Sequence, residues 1–433
     1  MSHSCDSASY LAACARYRCG MLRLSRVRRR SHPRDAREWR ANVRAPRLTQ
    51  QPITLHHLHW PCPPPWPPTS MTKETPMFRT PPHFPRLRTA ALALTLLAAT
   101  PLVQAKEPPG SKKETAGLKY VGVNLSGAEF NSRKKPGTLF KDYTYPAASD
   151  FSYFAGKGMN TIRLPFLWER VQPALNGPLD QAQLGLIKKS LEAAKANKQY
   201  LILDLHNYAT YNGKRIGTSD VPASALADLW RRLALEFKDD KAVIFGLMNE
   251  PNGISAPDWA NAAQGAINAI RKTGAKNLIL VPGTAYTGAH SWRSTSYGVS
   301  NAKALQILKD PGNNMAFEAH QYLDKDYSGT KPVCTSDSVG QEKLEGFTSW
   351  LRENKQKGFL GEFATANNPV CDKALEGMLT YMQKNSDVWL GWTWWAAGSW
   401  WKPDYAFTVQ PGKDGSDKPQ MAILSKYARR AGK

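Results

Sequence analysis

The chain has 433 residues, of which 42% are hydrophobic, so it can bury a large core in one large domain or in two to three ordinary ones. Its net charge of +23 would suggest a nucleic-acid partner, but residues 1–105 hold 16 basic and only 4 acidic residues and so carry about half of the excess. The remaining basic residues are scattered, which disfavours nucleic-acid binding.

Residues 1–70 are rich first in arginine and then in proline. Neither stretch has the regular apolar period that a folded element would bury. We predict that this part is an extension upstream of the true start, which would be Met71 or Met77. The alternative is a genuine disordered segment at the amino terminus.

A secretory signal peptide is predicted at residues 71–105. Arginines precede an apolar core at 90–99, and the small residues Val103 and Ala105 occupy the cleavage positions. This apolar core is too short to serve as a stable membrane anchor. The sequence therefore predicts a secreted protein, extracellular or periplasmic, in which a short spacer at 106–118 precedes the folded domain.

Cysteine usage agrees with export. Four of the six cysteines lie before residue 106, which leaves only Cys334 and Cys371 in the predicted mature chain. A lone pair in an exported chain is most simply a disulfide, which would stabilise the fold by about 2 to 4 kcal/mol. Two cysteines without a nearby histidine pair make a poor metal site.

From residue 119 onward, short apolar runs alternate with amphipathic stretches. Strands are predicted at 119–125, 160–165, 200–206, 243–250, 277–283, 315–320, 358–363 and 388–395. Between them, runs such as Leu226, Leu229, Leu233 and Phe237 have the three- and four-residue spacing of helices. Eight such units predict one α/β domain at 119–433, a (β/α)8 TIM barrel. A doubly wound open sheet is the alternative, but no glycine-rich phosphate loop follows any predicted strand.

Polar residues gather at the ends of five predicted strands. They are Arg163, His206, Asn207, Asn249, Glu250, His320, Tyr322 and Glu362. Each of them alone could be a satisfied structural group, but burying so many unpaired polar groups on one rim would be costly. Barrel enzymes place their chemistry at the carboxyl ends of the strands, so we treat this set as a candidate site.

Two glutamates stand out in this set: Glu250 ends the fourth predicted strand and Glu362 lies at the end of the seventh. In glycosidic bond cleavage, one carboxylic acid protonates the leaving oxygen while another carboxylate attacks the anomeric carbon, and the retaining route needs a separation of about 5 to 5.5 Å. The acid needs a raised pKa, whereas the nucleophile must stay ionised. We expect Tyr322 and Arg163 to hold Glu362 charged, and His320 to poise Glu250.

The same region offers groups that suit a sugar. Asn249 can present its amide to a sugar 2-hydroxyl, a contact expected to strengthen in the transition state. Sugar rings have flat apolar faces, so aromatic side chains make suitable subsites. Aromatic residues that follow strand ends are Trp168, Tyr208, Tyr211, Trp292, Trp395, Trp400 and Trp401. Core packing is the alternative for each of them and is favoured for Trp392 and Trp394, which lie on a predicted strand.

The motifs around both glutamates resemble those of glycoside hydrolase family 5. They are IFGLMNEPNG at 244–253 and GFLGEFA at 358–364. DLHNYATYNG, YTGAHSW, FEAHQYLD and GWTWWAAGSWW are similar to motifs of its endo-β-1,4-glucanases, the cellulases. The resemblance runs from about residue 119 to residue 427, essentially the whole predicted mature chain.

This resemblance implies roles for individual residues. Glu250 would be the acid/base and Glu362 the nucleophile of a retaining enzyme. Trp395, or its neighbour Trp394, would form the platform beneath the sugar next to the cleaved bond. Supporting roles also carry over to Arg163, His206, Asn249, His320 and Tyr322. Asn207 and Trp292 are further substrate-binding or supporting candidates because they follow strand ends.

The sequence therefore predicts a secreted endoglucanase that hydrolyses internal bonds of cellulose-type glucans by double displacement, as a monomer with neither cofactor nor metal. A β-mannanase, xyloglucanase or mixed-linkage glucanase would use the same two glutamates, so these alternatives stay open. A non-catalytic carbohydrate-binding barrel would lack one glutamate or its donors, and none is missing. A metal-dependent hydrolase could use His206, His290 and His320, but residues 106–433 contain no His-x-His pair.

Overall fold

The computed structural model describes residues 117–295 and 298–429. The predicted extension at 1–70, the predicted signal peptide at 71–105 and most of the predicted spacer lie outside these residues. Among the residues described, no helix is both long enough and apolar enough to cross a bilayer.

Eight parallel strands close into a barrel. They are β1 (Tyr120–Leu125), β2 (Thr161–Phe166), β3 (Tyr200–Leu205), β4 (Val243–Gly246), β5 (Ile279–Pro282), β6 (Met315–His320), β7 (Gly358–Glu362) and β8 (Trp389–Ala397). Each strand pairs with the next one along the chain, and β8 pairs with β1 to complete the ring. The prediction of a (β/α)8 barrel is confirmed.

A helical segment follows every strand. The helices are α1 (Ala148–Gly156), α2 (Trp168–Val171), α3 (Gln181–Ala196), α4 (Ala223–Phe237), α5 (Ala256–Lys272), α6 (Asn301–Ala304), α7 (Val339–Glu353), α8 (Pro369–Lys384) and α9 (Gln420–Ala428). The four apolar residues predicted on α4 are all buried, as their spacing requires. Side chains of Asp180, Ser255 and Asn368 cap the first turns of α3, α5 and α8.

The largest boundary error concerns the fourth strand, which was predicted to reach residue 250 but ends at Gly246. Asn249 and Glu250 therefore lie in the loop that follows. The backbone of Glu250 has a φ of 43°, in the left-handed region, so it cannot continue an extended strand. The loop stays attached to the barrel, because the backbone N–H of Asn249 donates to Leu205 O at 2.7 Å.

The lower part of the barrel interior is apolar. A cluster that we call the floor consists of Tyr120, Ile202, Ile244, Leu278, Leu280, Ala316 and Phe359. Side chains two residues apart on a strand share a face. Asp204 and Glu318 consequently occupy the next interior positions above Ile202 and Ala316, nearer the carboxyl ends of the strands.

A disulfide joins Cys334, in the loop after β6, to Cys371, in the first turn of α8. Their Cα atoms are 5.3 Å apart, within the ordinary range for such a bond. The predicted pairing is confirmed. It fastens two surface segments outside the barrel interior.

Candidate active site

Arg163, on β2, is the central cation of the barrel mouth and is completely buried. Its Nη1 lies 3.0 Å from both Asp204 Oδ2 and Glu362 Oε1. Its Nη2 donates to Asn249 Oδ1 at 2.9 Å and lies 3.1 Å from Glu318 Oε1. Burial opposes its charge, but the surrounding carboxylates outweigh this effect and raise the pKa of Arg163. The guanidinium therefore stays charged and links three strands and a loop.

Glu362, at the end of β7, receives two direct hydrogen bonds. Tyr322 donates its phenol O–H to Oε2 at 2.8 Å, and Arg163 donates to Oε1 at 3.0 Å. Burial raises the pKa of Glu362 above its ordinary value, while the cations of His320 and Arg163 act in the opposite direction. Burial and the adjacent carboxylate raise the pKa of Tyr322 too, so its phenol remains a donor. The expected donors are thus in place around Glu362.

Glu250 faces Glu362 across the mouth of the barrel. One oxygen of each carboxylate and a ring nitrogen of His320 all lie within 4.8 Å of one another. His320 Nδ1 is 2.8 Å from Glu250 Oε1 and 3.6 Å from Glu362 Oε2. The side chain of Glu250 is 16% exposed and that of Glu362 is 5% exposed, so solvent and substrate reach Glu250 more readily.

His320 acts as a donor between these groups. Its second ring nitrogen, Nε2, lies 3.2 Å from Glu318 Oε1, so both nitrogens face carboxylates. Burial disfavours the charged ring, but Glu362, Glu250 and Glu318 together raise the pKa of His320 to about 10. A doubly protonated ring has no lone pair for a metal ion. Glu250, His320 and Glu362 are therefore better suited to proton chemistry than to metal binding.

His206, directly after β3, is held between Asp204 and Asn249. Its Nδ1 lies 2.7 Å from Asp204 Oδ2, and its Nε2 lies 3.2 Å from Asn249 Nδ2. Asn249 Oδ1 accepts from Arg163, which fixes the orientation of the amide and directs its N–H groups toward the ring. Burial opposes the charged ring and Asp204 raises the pKa of His206. A proton on Nε2 would face the amide hydrogens of Asn249, so we assign the Nδ1–H tautomer to His206.

Trp395, at the end of β8, borders the mouth of the barrel. Its ring lies parallel to that of His206, with centroids 5.5 Å apart and an interplanar angle of 14°. Trp394 is fully buried and donates its indole N–H to Phe407 O at 2.9 Å. Of the two neighbours that the sequence left open as the platform, Trp395 therefore has the suitable position.

Three other aromatic candidates belong to the packed structure. Trp292 has no exposed surface, and its ring packs against Phe317, Phe347 and Trp350. The prediction that Trp292 binds substrate is wrong, because the loop after β5 turns this side chain into the core. Trp168 and Tyr211 are buried against each other, whereas Tyr208, Trp400 and Trp401 keep partly exposed surfaces.

Asn207 orders the loop after β3 and does not reach the two catalytic candidates. It accepts from the backbone N–H of Trp168 at 2.7 Å and donates to Glu169 Oε2 at 2.7 Å. A pocket of about 560 Å³ opens beside it. The pocket is lined by Ser132, Arg133, Lys135, Leu167, Glu169, His206, Asn207, Tyr208, Thr210, Asn212 and Gly213. Asn207 thus shapes one wall next to the site.

The polar set identified from the sequence meets at one rim, but Asp204 and Glu318 were missed. Each lies two residues before a candidate histidine, in the segments DLH and EAH. A two-residue spacing on a strand places both side chains on the same face, which was the available signal. His290, the third histidine of the metal alternative, contacts Gln321 and Tyr327, and it is not in the group formed by Glu250, His320 and Glu362.

A family model, curated relatives and solved structures all place this chain among similar proteins of one family. Residues 123–398 match the family model described as Cellulase (glycosyl hydrolase family 5). Endo-β-1,4-glucanase B of Emericella nidulans is 39% identical over 334 residues, covering 77% of this chain and 98% of the relative. The structure of XacCel5A in complex with cellopentaose is 96% identical with a TM-score of 0.71, covering 72% of this chain and 99% of that one. An endo-β-1,4-glucanase from Xanthomonas axonopodis pv. citri is 61% identical with a TM-score of 0.72, covering 73% of this chain and 100% of that one.

Proposed function

The chain belongs to glycosyl hydrolase family 5, and on this premise we propose that it is a secreted endo-β-1,4-glucanase that acts with retention of configuration. The observation that carries this proposal is the close approach of Glu250 and Glu362, whose nearest oxygens lie within 4.8 Å. Retaining glycosidases hold their two carboxyl groups about 5 to 5.5 Å apart, whereas inverting ones leave about 6.5 to 9.5 Å for a water. The observed spacing favours direct attack.

In the first proposed step, a carboxylate oxygen of Glu362 bonds to the anomeric carbon while protonated Glu250 gives its proton to the glycosidic oxygen. The bond between that carbon and oxygen breaks, and the leaving chain departs as an alcohol. In the second step, Glu250 takes a proton from water, whose oxygen displaces Glu362. Both side chains then return to their starting states.

The neighbouring groups support these roles. Tyr322 and Arg163 stabilise negative charge on Glu362 before attack and when the carboxylate is released. Asn249 uses one amide hydrogen on His206 Nε2, so its second hydrogen is available to a sugar 2-hydroxyl. Trp395 presents an aromatic surface next to His206 on which a sugar ring can stack. These assignments support the proposed chemistry residue by residue.

The proposed substrate is a β-1,4-linked glucan. Several relatives carry the name endo-β-1,4-glucanase, and the structure of XacCel5A contains cellopentaose, a five-unit oligosaccharide. Mannan, xyloglucan and mixed-linkage glucan would engage the same two carboxylates and would differ in the contacts made by the loops. The substrate is therefore the part of the proposal that most needs a direct assay.

We test substrate and mode of attack by measuring reducing ends and viscosity on soluble cellulose derivative, mannan, xyloglucan and mixed-linkage glucan in parallel. The cellulose derivative should be cleaved fastest, with viscosity falling early because internal bonds break first. Faster hydrolysis of mannan would overturn the proposed substrate, and slow loss of viscosity would overturn endo action.

Stereochemistry is tested separately by proton NMR of freshly released products. A retaining enzyme releases the β-anomer first, and the α-anomer appears later through mutarotation. Initial release of the α-anomer would contradict the double displacement.

Secretion is the remaining part of the proposal, together with the boundaries at 70, 105 and 118. The protein collected outside the cell should begin near residue 106 when its amino terminus is sequenced. Recovery of residues 1–70 on the secreted protein would contradict the proposed processing.

A further inference from the structure

Two buried carboxylates lie directly beneath the two histidines of the site. Asp204, on β3, precedes His206 by two residues, and its Oδ2 lies 2.7 Å from His206 Nδ1. Glu318 precedes His320 by two residues on β6 and lies 3.2 Å from its Nε2. A buried carboxylate thus contacts each of the two histidines, and both carboxylates pair with Arg163.

Neither carboxylate can reach a substrate directly. Both side chains are only 1% exposed, and each lies deeper in the barrel than its histidine. Arg163 pairs with both of them, at 3.0 Å to Asp204 and 3.1 Å to Glu318. We call these three residues the charged layer. It lies between the floor and the groups that face the substrate.

Glu318 determines what His320 can do. His320 Nδ1 faces Glu250 at 2.8 Å, and Nε2 faces Glu318. While Glu250 and Glu318 are both ionised, one acceptor faces each nitrogen, so both nitrogens carry hydrogen. Removing the charge of Glu318 would remove the reason for a proton on Nε2 and would weaken the donor that faces Glu250.

Asp204 determines what His206 can do. It accepts the hydrogen on Nδ1 and leaves the lone pair on Nε2 to accept from the amide of Asn249. Arg163 holds the other end of that amide, so its orientation is fixed at both ends. The second amide hydrogen of Asn249 takes part in neither of these two contacts.

We propose that Asp204 and Glu318 are positioning residues for the hydrolysis, each acting through the histidine two residues further along its strand. Glu318 keeps His320 as a double donor facing the two glutamates. Asp204 keeps His206 in the tautomer that orients the Asn249 amide toward the sugar. This inference rests on the proposed function of the site.

Gly361, on β7, supplies independent support for a built position under His320. A Cβ on this residue would lie 2.1 Å from Glu318 Oε1, so a side chain at this position would displace the carboxylate. Glycine at position 361 thus leaves the space inside the barrel that the carboxylate of Glu318 occupies. Gly361→Ala should therefore reduce hydrolysis as the loss of Glu318 does, although Glu318 keeps its charge in this variant.

The first experiment measures kcat/KM against pH for Glu318→Gln and Asp204→Asn on cellopentaose. Carboxylates that orient metal-binding histidines typically contribute about 10- to 100-fold, and we expect losses of that size in both variants. In Glu318→Gln the alkaline limb should also shift, because this limb reports the proton of the catalytic acid and His320 is the group that faces Glu250. In Asp204→Asn, kcat should fall more than KM rises, because the 2-hydroxyl contact strengthens in the transition state.

Several charged and titratable groups surround His320 and are kept constant in this comparison. They are Glu250 after β4, Glu362 on β7, Tyr322 after β6, Arg163 on β2 and Asp204 on β3. Glu318→Asp restores the charge at a shorter reach and should recover part of the activity and of the alkaline limb. An unshifted limb in Glu318→Gln would overturn the role assigned to Glu318.

Asp310→Asn is the matched control for a merely structural effect. Asp310 pairs with Arg271 at 2.7 Å, and both side chains are nearly buried, at 3% and 7% exposure, outside the barrel interior. This variant should lose stability and keep the wild-type pH profile. If Glu318→Gln behaves in the same way, its carboxylate is structural only and the inference is wrong.

A measurement on the unaltered full chain does not depend on the folding of any variant. With histidine labelled with nitrogen-15, NMR reports the protonation of each ring, and His320→Gln assigns the signal among the nine histidines. His320 should be doubly protonated at pH 7, and a neutral ring there would overturn the inference. If the ring is charged but no glucan is hydrolysed, the proposed function fails on its own.

Discussion

The floor and the charged layer occupy the same barrel, one interior level apart, and have opposite chemistry. Ile202 and Ala316 belong to the floor, while Asp204 and Glu318, two residues later on the same strands, bind Arg163. The floor is stabilised by removing apolar surface from water, which needs no specific partner. The charged layer is stable only as a set, because each buried charge requires the others.

This difference shows how the barrel fixes the groups above it. Strand positions determine where Asp204 and Glu318 lie, and those carboxylates in turn orient His206 and His320. A rigid apolar level below and a polar network above give reactive groups little freedom to rotate. Substitutions in the two levels should therefore differ in kind as well as in size.

The largest expected effect is on catalysis above the charged layer. Glu362→Ala should lower kcat by a factor on the order of 10⁴ to 10⁶, because it removes the proposed nucleophile. Azide added to this variant should restore turnover with inverted configuration, since a small anion fits the space left by the side chain. Retained activity without azide would rule out this role for Glu362.

Loss of the central cation should harm both stability and activity. Arg163→Met leaves Asp204, Glu318 and Glu362 without their shared partner, so the free energy of unfolding should fall by about 3 to 5 kcal/mol. Chemical denaturation measures this loss, and glucan hydrolysis should disappear. Arg271→Met breaks the buried pair with Asp310 outside the barrel interior and should reduce stability while leaving hydrolysis intact. Equal activity of the two variants would contradict the central role of Arg163.

His320 and Glu362, which contact the charged layer from above, should also make stability depend on pH. The pKa of His320 is raised from 6.5 to about 10, so its contribution is complete below about pH 6.5 and is lost as the pH rises toward 10. The raised pKa of Glu362 acts in the same direction at lower pH, because the folded state holds its proton longer. The melting temperature should therefore fall between pH 6.5 and 10, and fall less steeply in His320→Gln. Parallel curves for the two proteins would exclude this contribution.

The disulfide lies outside both the floor and the charged layer, so its removal should change stability without changing the geometry of the site. Replacing Cys334 and Cys371 by serine should lower the free energy of unfolding by about 2 to 4 kcal/mol, because it releases a constraint on the unfolded chain. Thermal unfolding under oxidising conditions measures the change, and hydrolysis of cellopentaose should be unchanged. An unaltered melting curve would show that the bridge adds no stability.

The smallest expected effect is a conservative change in the floor. Ile244→Val removes one buried methyl group and should lower the free energy of unfolding by about 1 kcal/mol. The kcat, the KM and the pH dependence of melting should match those of the unaltered protein. A shift in the pH profile would mean that the floor and the charged layer are coupled, and their assumed independence would be wrong.

The sequence by itself determined the architecture and singled out two glutamates as catalytic candidates. Eight apolar runs separated by amphipathic stretches specify a (β/α)8 barrel, because two- and 3.6-residue periods decide locally which faces are buried. Once strands end at one rim, Glu250 and Glu362 must face the same space. Two cysteines in the region after residue 105 left one possible pairing within the chain.

Only the tertiary structure decided which side chains take part. Trp292 and Trp395 both follow or end a strand, yet one packs in the core and the other stacks beside His206. The path of a loop determines this difference, and loop paths depend on distant contacts that no local period encodes. The spacing of Glu250 and Glu362 and the pairing of Arg163 with Asp204 and Glu318 depend likewise on barrel closure, because strand tilt and register set distances across the interior.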